Sequence, residues 1–258
     1  MIAIMQPTFN SWLGYYDLID KCELFVFYDD VQLTKRSWQV RNRILTSNGE
    51  LFLTIPILNI GHRDDIKINN AQINYNEKWI NKHLKSLDLA YKKAPFYGEV
   101  YAIIENLYNK KYDKLSELNI SFITEISQKI GIQSEFICSS SLKGITGSKD
   151  ERLVAICKNL NAVEYLSPQG SASYIEEFSP GGEFTKNFIE LYYHNYEHPT
   201  YPQYGNLDFL PYMGIFDLLF NVGFTNALEV IISGRRKDYH YSNFRQIKTQ
   251  VNNINNNE

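Results

Sequence analysis

The chain has 258 residues, 44% hydrophobic and 21% charged, with a formal net charge of −3. These values describe a globular protein long enough for a substantial core, and the acidic balance argues against general nucleic-acid affinity. The aromatic share is high at 14%, with 19 Tyr, which suits a binding groove and equally an AT-rich coding sequence. Cys22, Cys138 and Cys157 are odd in number, widely spaced and without metal-type pairing, so they read as reduced, mostly buried thiols. The N-terminus has neither a basic segment nor a long apolar one. No stretch approaches the ~20 apolar residues of a membrane helix, and the expectation is a cytoplasmic protein with no integral membrane segment.

In chain order, Ile2 to Met5 is a short apolar run fit for a buried strand, and Pro7 stops it. From Ser11, the expected N-cap, Trp12, Tyr16, Ile19 and Cys22 recur at helical spacing. Leu24 to Tyr28 is a second apolar run, as in a parallel strand covered on both faces. Strand, helix and strand make a right-handed βαβ unit. A basic segment follows, then Asn48-Gly49 as a turn before the strand "LFLTIPI" (51–57). Residues 77–130 predict three helical pieces, broken at Ala94-Pro95 and near Lys110-Lys111. "SEFICSS" (134–140), "KDERLVAICKNL" (149–160) and "AVEYLS" (162–167) predict a second βαβ unit, followed by a strand in "NFIELYYH" (187–194). "SPGGEF" (179–184) reads as a turn, and "FDLLFNVG" (216–223) as a helix with Gly223 at its C-cap. The fold expected is α/β: one domain over 1–243 with a mostly parallel, Rossmann-like sheet and a helical insertion around 77–130. The tail 244–258 lacks packing residues and is expected to be disordered.

In an open α/β sheet, ligands sit beyond the carboxyl ends of the strands. Three polar strand ends, "QPTF" (6–9), "DDVQ" (29–32) and "SPQG" (167–170), are candidate walls of one pocket, against the plainer reading that strands simply need polar loops. Gln6, Thr8, Gln32, Ser167 and Gln169 are the residues they would contribute. "KRSWQVRNR" (35–43) sets Lys35, Arg36, Arg41 and Arg43 around Trp38. Arginine forks hold phosphate or carboxylate and Trp stacks on a base or sugar, which suits a nucleotide-sugar; the alternative is a solvated hairpin flank. Asp29 and Asp30 would hold Mg²⁺ beside such phosphates or else cap the turn. His194 and His198 share an HxxxH spacing, but "LYYHNYEHPTYP" is strand-like and Pro-rich, so zinc is not expected. His83 is either a general base or a structural helix histidine. No G-x-S-x-G, Walker A or G-x-G-x-x-G motif is present.

"QPTFNSWLGYYDLI", "FVFYDDVQLTKRSWQVRNRI", "KHLKSLDLAYKKAPFY", "RLVAICKNLNAVEYLSPQGSASYI" and "GIFDLLFNVG" together resemble, in order and over nearly the whole chain, the WbqC-like family of bacterial O-antigen and surface-polysaccharide proteins. Met5 departs from the family's usual His. The resemblance implies transfer of an acyl or aminoacyl group, such as glycyl, to the amine of a nucleotide-linked amino sugar. A second likeness is to the first βαβ unit of the nucleotidylyltransferase and pantothenate-synthetase (HUP-like) superfamily. Its HxGH slot is here Trp12-Leu13-Gly14-Tyr15, with both histidines gone and the small Gly14 kept. "SGRR" (233–236) is a distant stand-in for the phosphate-contacting loop of those enzymes.

The expected site therefore has Arg41, Arg43 and Lys35 on the diphosphate and Trp38 on base or sugar. Trp12, Gly14 and Tyr15 lie at the helix entry, Gln6, Thr8 and Asp30 orient the reacting groups, and His83 is the base. Two activation routes stay open: ATP with Mg²⁺, or an acyl group preactivated on CoA or a carrier. The competing class is a non-catalytic nucleotide-sugar-binding partner of another enzyme, and a homo-oligomer is possible in either case.

Overall fold

The computed structural model describes residues 1–34, 37–58, 66–205 and 208–244. Strand β1 (Ile2–Met5) shows why the two faces of the sheet are separate cores. Ala3 packs into one hydrophobic cluster, while Ile2 and Ile4 pack into the other. The same period-two alternation continues in β2 (Leu24–Phe27), where Phe25 and Phe27 face the first cluster and Val26 the second. Between them runs α1 (Leu13–Asp20).

After β2 the chain makes an antiparallel hairpin of its own, β3 (Arg41–Thr46) and β4 (Gly49–Thr54), turning through Ser47-Asn48, one residue before the expected Asn48-Gly49, with Gly49 already paired to Thr46. Next come α2 (Trp79–Tyr91), α3 (Tyr97–Asn109) and α4 (Leu115–Ile130), broken where the sequence predicted. Then follow β5 (Glu135–Cys138), α5 (Lys149–Asn159), β6 (Glu164–Ser167), α6 (Ala172–Ile175), α7 (Gly182–Lys186), β7 (Glu190–Tyr193), α8 (Ile215–Ser233) and the edge strand β8 (Tyr239–His240). The main sheet has the order β5-β2-β1-β6-β7-β8, parallel except for β8. Neighbouring strands leave β1 in opposite chain directions, so the topological switch falls at β1 and β6. The α/β class with a mostly parallel Rossmann-like sheet is what the sequence implied. Helices α1–α4 and α8 cover one face, and α5–α7 the other.

Four local readings change. Ser11 is not the cap of α1: Trp12 occupies that position, and Ser11 Oγ instead donates to the Thr8 carbonyl. The "SPGGEF" segment turns through Gly181 at φ +72° and enters a short helix, α7. Gly223 does interrupt the helix at φ +75°, but α8 resumes beyond it. A Cβ at Gly223 would meet the Phe96 ring at 2.5 Å, so the close packing of α8 on the start of α3 requires glycine there. Finally, α8 is, by length and composition, apolar enough to cross a membrane, contrary to the expectation. Two-thirds of it is buried among α1, α3 and α4 as the central core helix, which accounts for its all-round apolar sequence. The expected tail lies outside the described residues from 245 onward, while Phe244, at its head, packs on Tyr193 with ring centroids 4.3 Å apart.

A candidate ligand cleft at the carboxyl end of strand β1

Beyond β1 the chain enters α1 through a tight loop. Asn10, in the left-handed region at φ +45°, is its hub. Asn10 Oδ1 accepts the Phe216 N–H at 3.0 Å, capping the start of α8, and its Nδ2 donates to the Arg43 carbonyl at 3.1 Å. Asn42 Nδ2 in turn donates to the carbonyls of Phe9 and Asn10. The loop after β1, the start of β3 and the approach to α8 are thereby tied into one unit.

Where these three meet lies a cleft of about 320 Å³, lined by Met5, Thr8, Trp12, Trp38, Asn42, Arg43 and Tyr212. Its walls are mainly aromatic. Trp12 folds back over Gly14, where a Cβ would meet the indole at 2.3 Å. The exposed Trp38 stacks on Phe52 at 6.4 Å, and the Arg41 guanidinium lies over the far side of the pair, 4.7 Å from the Phe52 centroid. Tyr212, 53% exposed, holds φ +62°, a conformation that costs a bulky residue free energy and concentrates at binding sites.

The polar part of the cleft is largely neutral. Arg43 gives Nη1 to Glu50 at 2.6 Å and Nη2 to the Tyr212 carbonyl at 2.9 Å, so its charge is offset. Its buried Nε has no partner. Ser37 Oγ, Gln39 Oε1 and Asn119 Oδ1 are likewise buried without a partner, though none of the three residues lines the cleft. Asn119 Nδ2 bonds the Pro7 and Gln39 carbonyls, and Gln39 Nε2 donates to Gln6 Oε1. Buried polar atoms are normally paired, and Arg43 Nε is the unpaired one that belongs to a residue lining the cleft.

Of the residues singled out from the sequence, Thr8, Trp12, Trp38 and Arg43 line the cleft. Gln6 lies beneath it, its carbonyl accepting from Tyr15 Oη at 3.0 Å; Tyr15 itself is buried. Lys35 lies outside the described residues. Arg41 is turned onto Phe52, and Gln32 is exposed and bridges to Lys67.

The other two strand ends are engaged elsewhere. Asp29 accepts from the Ser140 N–H at 3.0 Å and from Ser140 Oγ at 2.7 Å. Asp30 accepts from Ser139 Oγ at 2.6 Å and pairs with Arg152. These carboxylates fasten β2 to the turn after β5 and to α5. That donor set leaves them poorly suited to Mg²⁺, and the capping alternative describes them. Ser167 is fully buried and Gln169 exposed.

His83 is not a cleft residue either. It is buried against Phe9 and Trp79, with Nδ1 3.1 Å from Tyr108 Oη and Nε2 3.1 Å from the Thr54 carbonyl. Burial pulls its pKa down to about 4, so it is a neutral structural histidine joining α2, α3 and β4. Both arginines of "SGRR" are also spoken for. Arg235 bonds Asp17 at 2.7 Å and Asp20 at 2.5 Å, and Arg236 bonds Glu197 at 2.9 Å.

Of three further groups, the sequence marks His194 and His198 only through their HxxxH spacing, and Asp217 not at all. His194 Nε2 sits 2.7 Å from the fully buried Asp17. Asp217, buried in the first turn of α8, accepts from Tyr91 Oη, Tyr201 Oη and Gln203 Nε2 at 2.7, 2.8 and 2.9 Å. Burial raises its pKa, against the three donors that lower it. His198 packs edge-on against Tyr212 with centroids 4.9 Å apart. Local spacing carried no recognisable signal for these contacts, because the partners just named lie more than a dozen residues away along the chain.

The WbqC-like protein family model matches residues 6–229. The chain belongs to the WbqC-like family. Its match begins at Gln6, next to the cleft residue Met5, and ends within α8. An uncharacterised protein of Mycobacterium tuberculosis is 33% identical over 225 residues, spanning 86% of this chain and 94% of that protein. No solved structure matches, and the likeness to the nucleotidylyltransferase superfamily gains no support. In this WbqC-like chain the Trp-Leu-Gly-Tyr stretch builds an aromatic wall and its support instead of an HxGH phosphate site.

Proposed function

We propose that this WbqC-like protein is a cytoplasmic transferase of surface-polysaccharide synthesis that joins an acyl or aminoacyl group to the amine of a nucleotide-linked amino sugar. One observation carries the reading: a cleft walled by Trp12, Trp38 and Tyr212, with the charge of Arg43 already offset by Glu50, at the end of β1. Stacked aromatic faces with neutral hydrogen-bonding groups suit a sugar ring better than a bare diphosphate. The diphosphate would then lie toward Arg41 at the hairpin side. The amine nitrogen attacks the carbonyl carbon of an activated acyl donor, the new C–N bond forms, and the donor's leaving group departs with its bonding electrons as the amine gives up a proton. Family membership supports the polysaccharide setting.

The test is a thermal-unfolding panel with UDP- and dTDP-linked sugars, ATP with Mg²⁺ and CoA esters. A ligand that binds only the folded state raises the midpoint by mass action. Stabilisation by a nucleotide-sugar that is lost in Trp38→Ala supports the reading; silence toward every nucleotide-sugar overturns it.

A second reading has its own observation. Met5, where the family resemblance leads one to expect His, lines the cleft. A cleft without that imidazole fits a nucleotide-sugar-binding partner of another enzyme. Met5→His decides between them: gained turnover favours the enzyme reading, and unchanged binding without turnover favours the partner.

A further inference from the structure

Among the described residues, His198 is the histidine whose ring packs on a side chain of the cleft wall, Tyr212. Its Nδ1 lies 3.0 Å from the Pro199 carbonyl. A carbonyl only accepts, so Nδ1 carries the proton and Nε2 presents its lone pair. That Nε2 is buried and has no hydrogen-bond partner. The rings of Tyr201, Phe209 and Tyr212 surround the imidazole at 6.2, 6.0 and 4.9 Å. Burial lowers its pKa from the usual value, and the nearby Arg43 charge lowers it further against the Pro199 bond. A neutral imidazole with a fixed tautomer is thus held behind Tyr212 with its acceptor unused, at a cost the fold would shed by pairing it.

Tyr212 is the cleft residue in contact with His198. It is also the one in left-handed backbone, with its carbonyl pinned by Arg43. Tyr212 is 53% exposed, so solvent rather than packed protein lies along much of the ring, and strained backbone of this kind clusters at ligand clamps and switch regions. We propose that His198 Nε2 accepts an N–H from the amino group of the bound sugar, reached when the Tyr212 ring turns aside, so that His198 selects the amino sugar and orients its nitrogen. This rests on the proposed function and specifies which group reads the amine.

Two variants separate the contact from the fold. His198→Asn keeps a donor near the Nδ1 position for the Pro199 carbonyl and removes the acceptor at Nε2. His198→Gln keeps an acceptor near Nε2. Binding is followed by the fluorescence of Trp12 and Trp38, using UDP-glucosamine and a dTDP-linked 4-amino sugar as probes, with UDP and dTDP as sugar-free controls. The expected result is a tenfold or greater loss of amino-sugar affinity in His198→Asn, a loss of about threefold in His198→Gln, and unchanged UDP and dTDP affinity in both.

The wild-type protein gives an independent reading that needs no variant to fold. With ¹⁵N-labelled histidine, the unprotonated Nε2 resonance of His198 should shift on adding the amino-sugar probe and stay in place with UDP or dTDP. Amino-sugar binding with no Nε2 shift and no loss in His198→Asn overturns the role of His198 and leaves the proposed function standing. Absence of binding by any probe to the wild-type protein overturns both.

Discussion

The indole of Trp12 occupies the space that a side chain at Gly14 would need, with only 2.3 Å between the ring and a Cβ placed there. The two residues act as a unit: the glycine makes room, and the tryptophan fills it and becomes a cleft wall. Gly14→Ala should push the indole outward. Alanine's higher helix propensity, worth up to about 1 kcal/mol, offsets part of the overpacking cost of ~1–3 kcal/mol. We expect a stability change under about 2 kcal/mol, a shifted tryptophan emission spectrum and roughly tenfold weaker ligand binding. Unchanged emission and binding would show that the Trp12 position does not depend on Gly14.

His83 sets a pH dependence of stability. Its pKa falls from 6.5 in the unfolded chain to about 4 in the fold. The unfolded state therefore binds the extra proton first as pH drops, and stability rises with pH across that window. The contribution is fully present above about pH 6.5 and is lost as pH falls toward 4, amounting to roughly 3 kcal/mol from the size of the shift. Urea unfolding at pH 7 and pH 4.5 should show this loss, and His83→Gln should flatten it. An equally steep acid limb in the variant would assign it to other groups.

Asp217 gathers three donors in the interior without a cation: two tyrosine hydroxyls and one amide. Asp217→Asn keeps the shape but turns an N–H₂ toward groups that also donate. Leaving buried donors unmatched costs about 1–3 kcal/mol each, and network members lose more together than singly. We expect a loss of roughly 2–4 kcal/mol in urea unfolding. A loss below 0.5 kcal/mol would mean that the tyrosines find other acceptors.

Trp38 and Arg41 separate binding from scaffold. Trp38 is half exposed in the cleft wall, whereas Arg41 lies over Phe52 outside it. Trp38→Ala should leave stability within about 0.5 kcal/mol and weaken nucleotide-sugar binding by ~1–2 kcal/mol through lost stacking. Arg41→Ala should weaken it less for the sugar and more for the nucleoside diphosphate alone. Isothermal titration with UDP and with a UDP-sugar compares the two. Equal losses in both variants for both ligands would remove the division between sugar and diphosphate subsites.

The sequence by itself determined the α/β class, the helical breaks at Ala94-Pro95 and near Lys110-Lys111, and most strand positions. Each depends on local chemistry: short β-branched runs, proline and glycine stops, and apolar periodicity. It also marked Thr8, Trp12, Trp38 and Arg43, because they lie in short segments whose composition points to a ligand. What only the tertiary structure decided is which strand ends share a space. Asp29 and Asp30 could be read as Mg²⁺ ligands or as turn caps until Ser139, Ser140 and Arg152, more than a hundred residues on, were seen to satisfy them. His83 looked like a base until Tyr108 and the Thr54 carbonyl claimed both its nitrogens. His198 was marked only through its HxxxH spacing with His194, and Tyr212 carried no mark in the sequence. Hydrogen-bond satisfaction and burial are properties of neighbours distant along the chain, and they decide whether a polar residue is structural or free to meet a ligand.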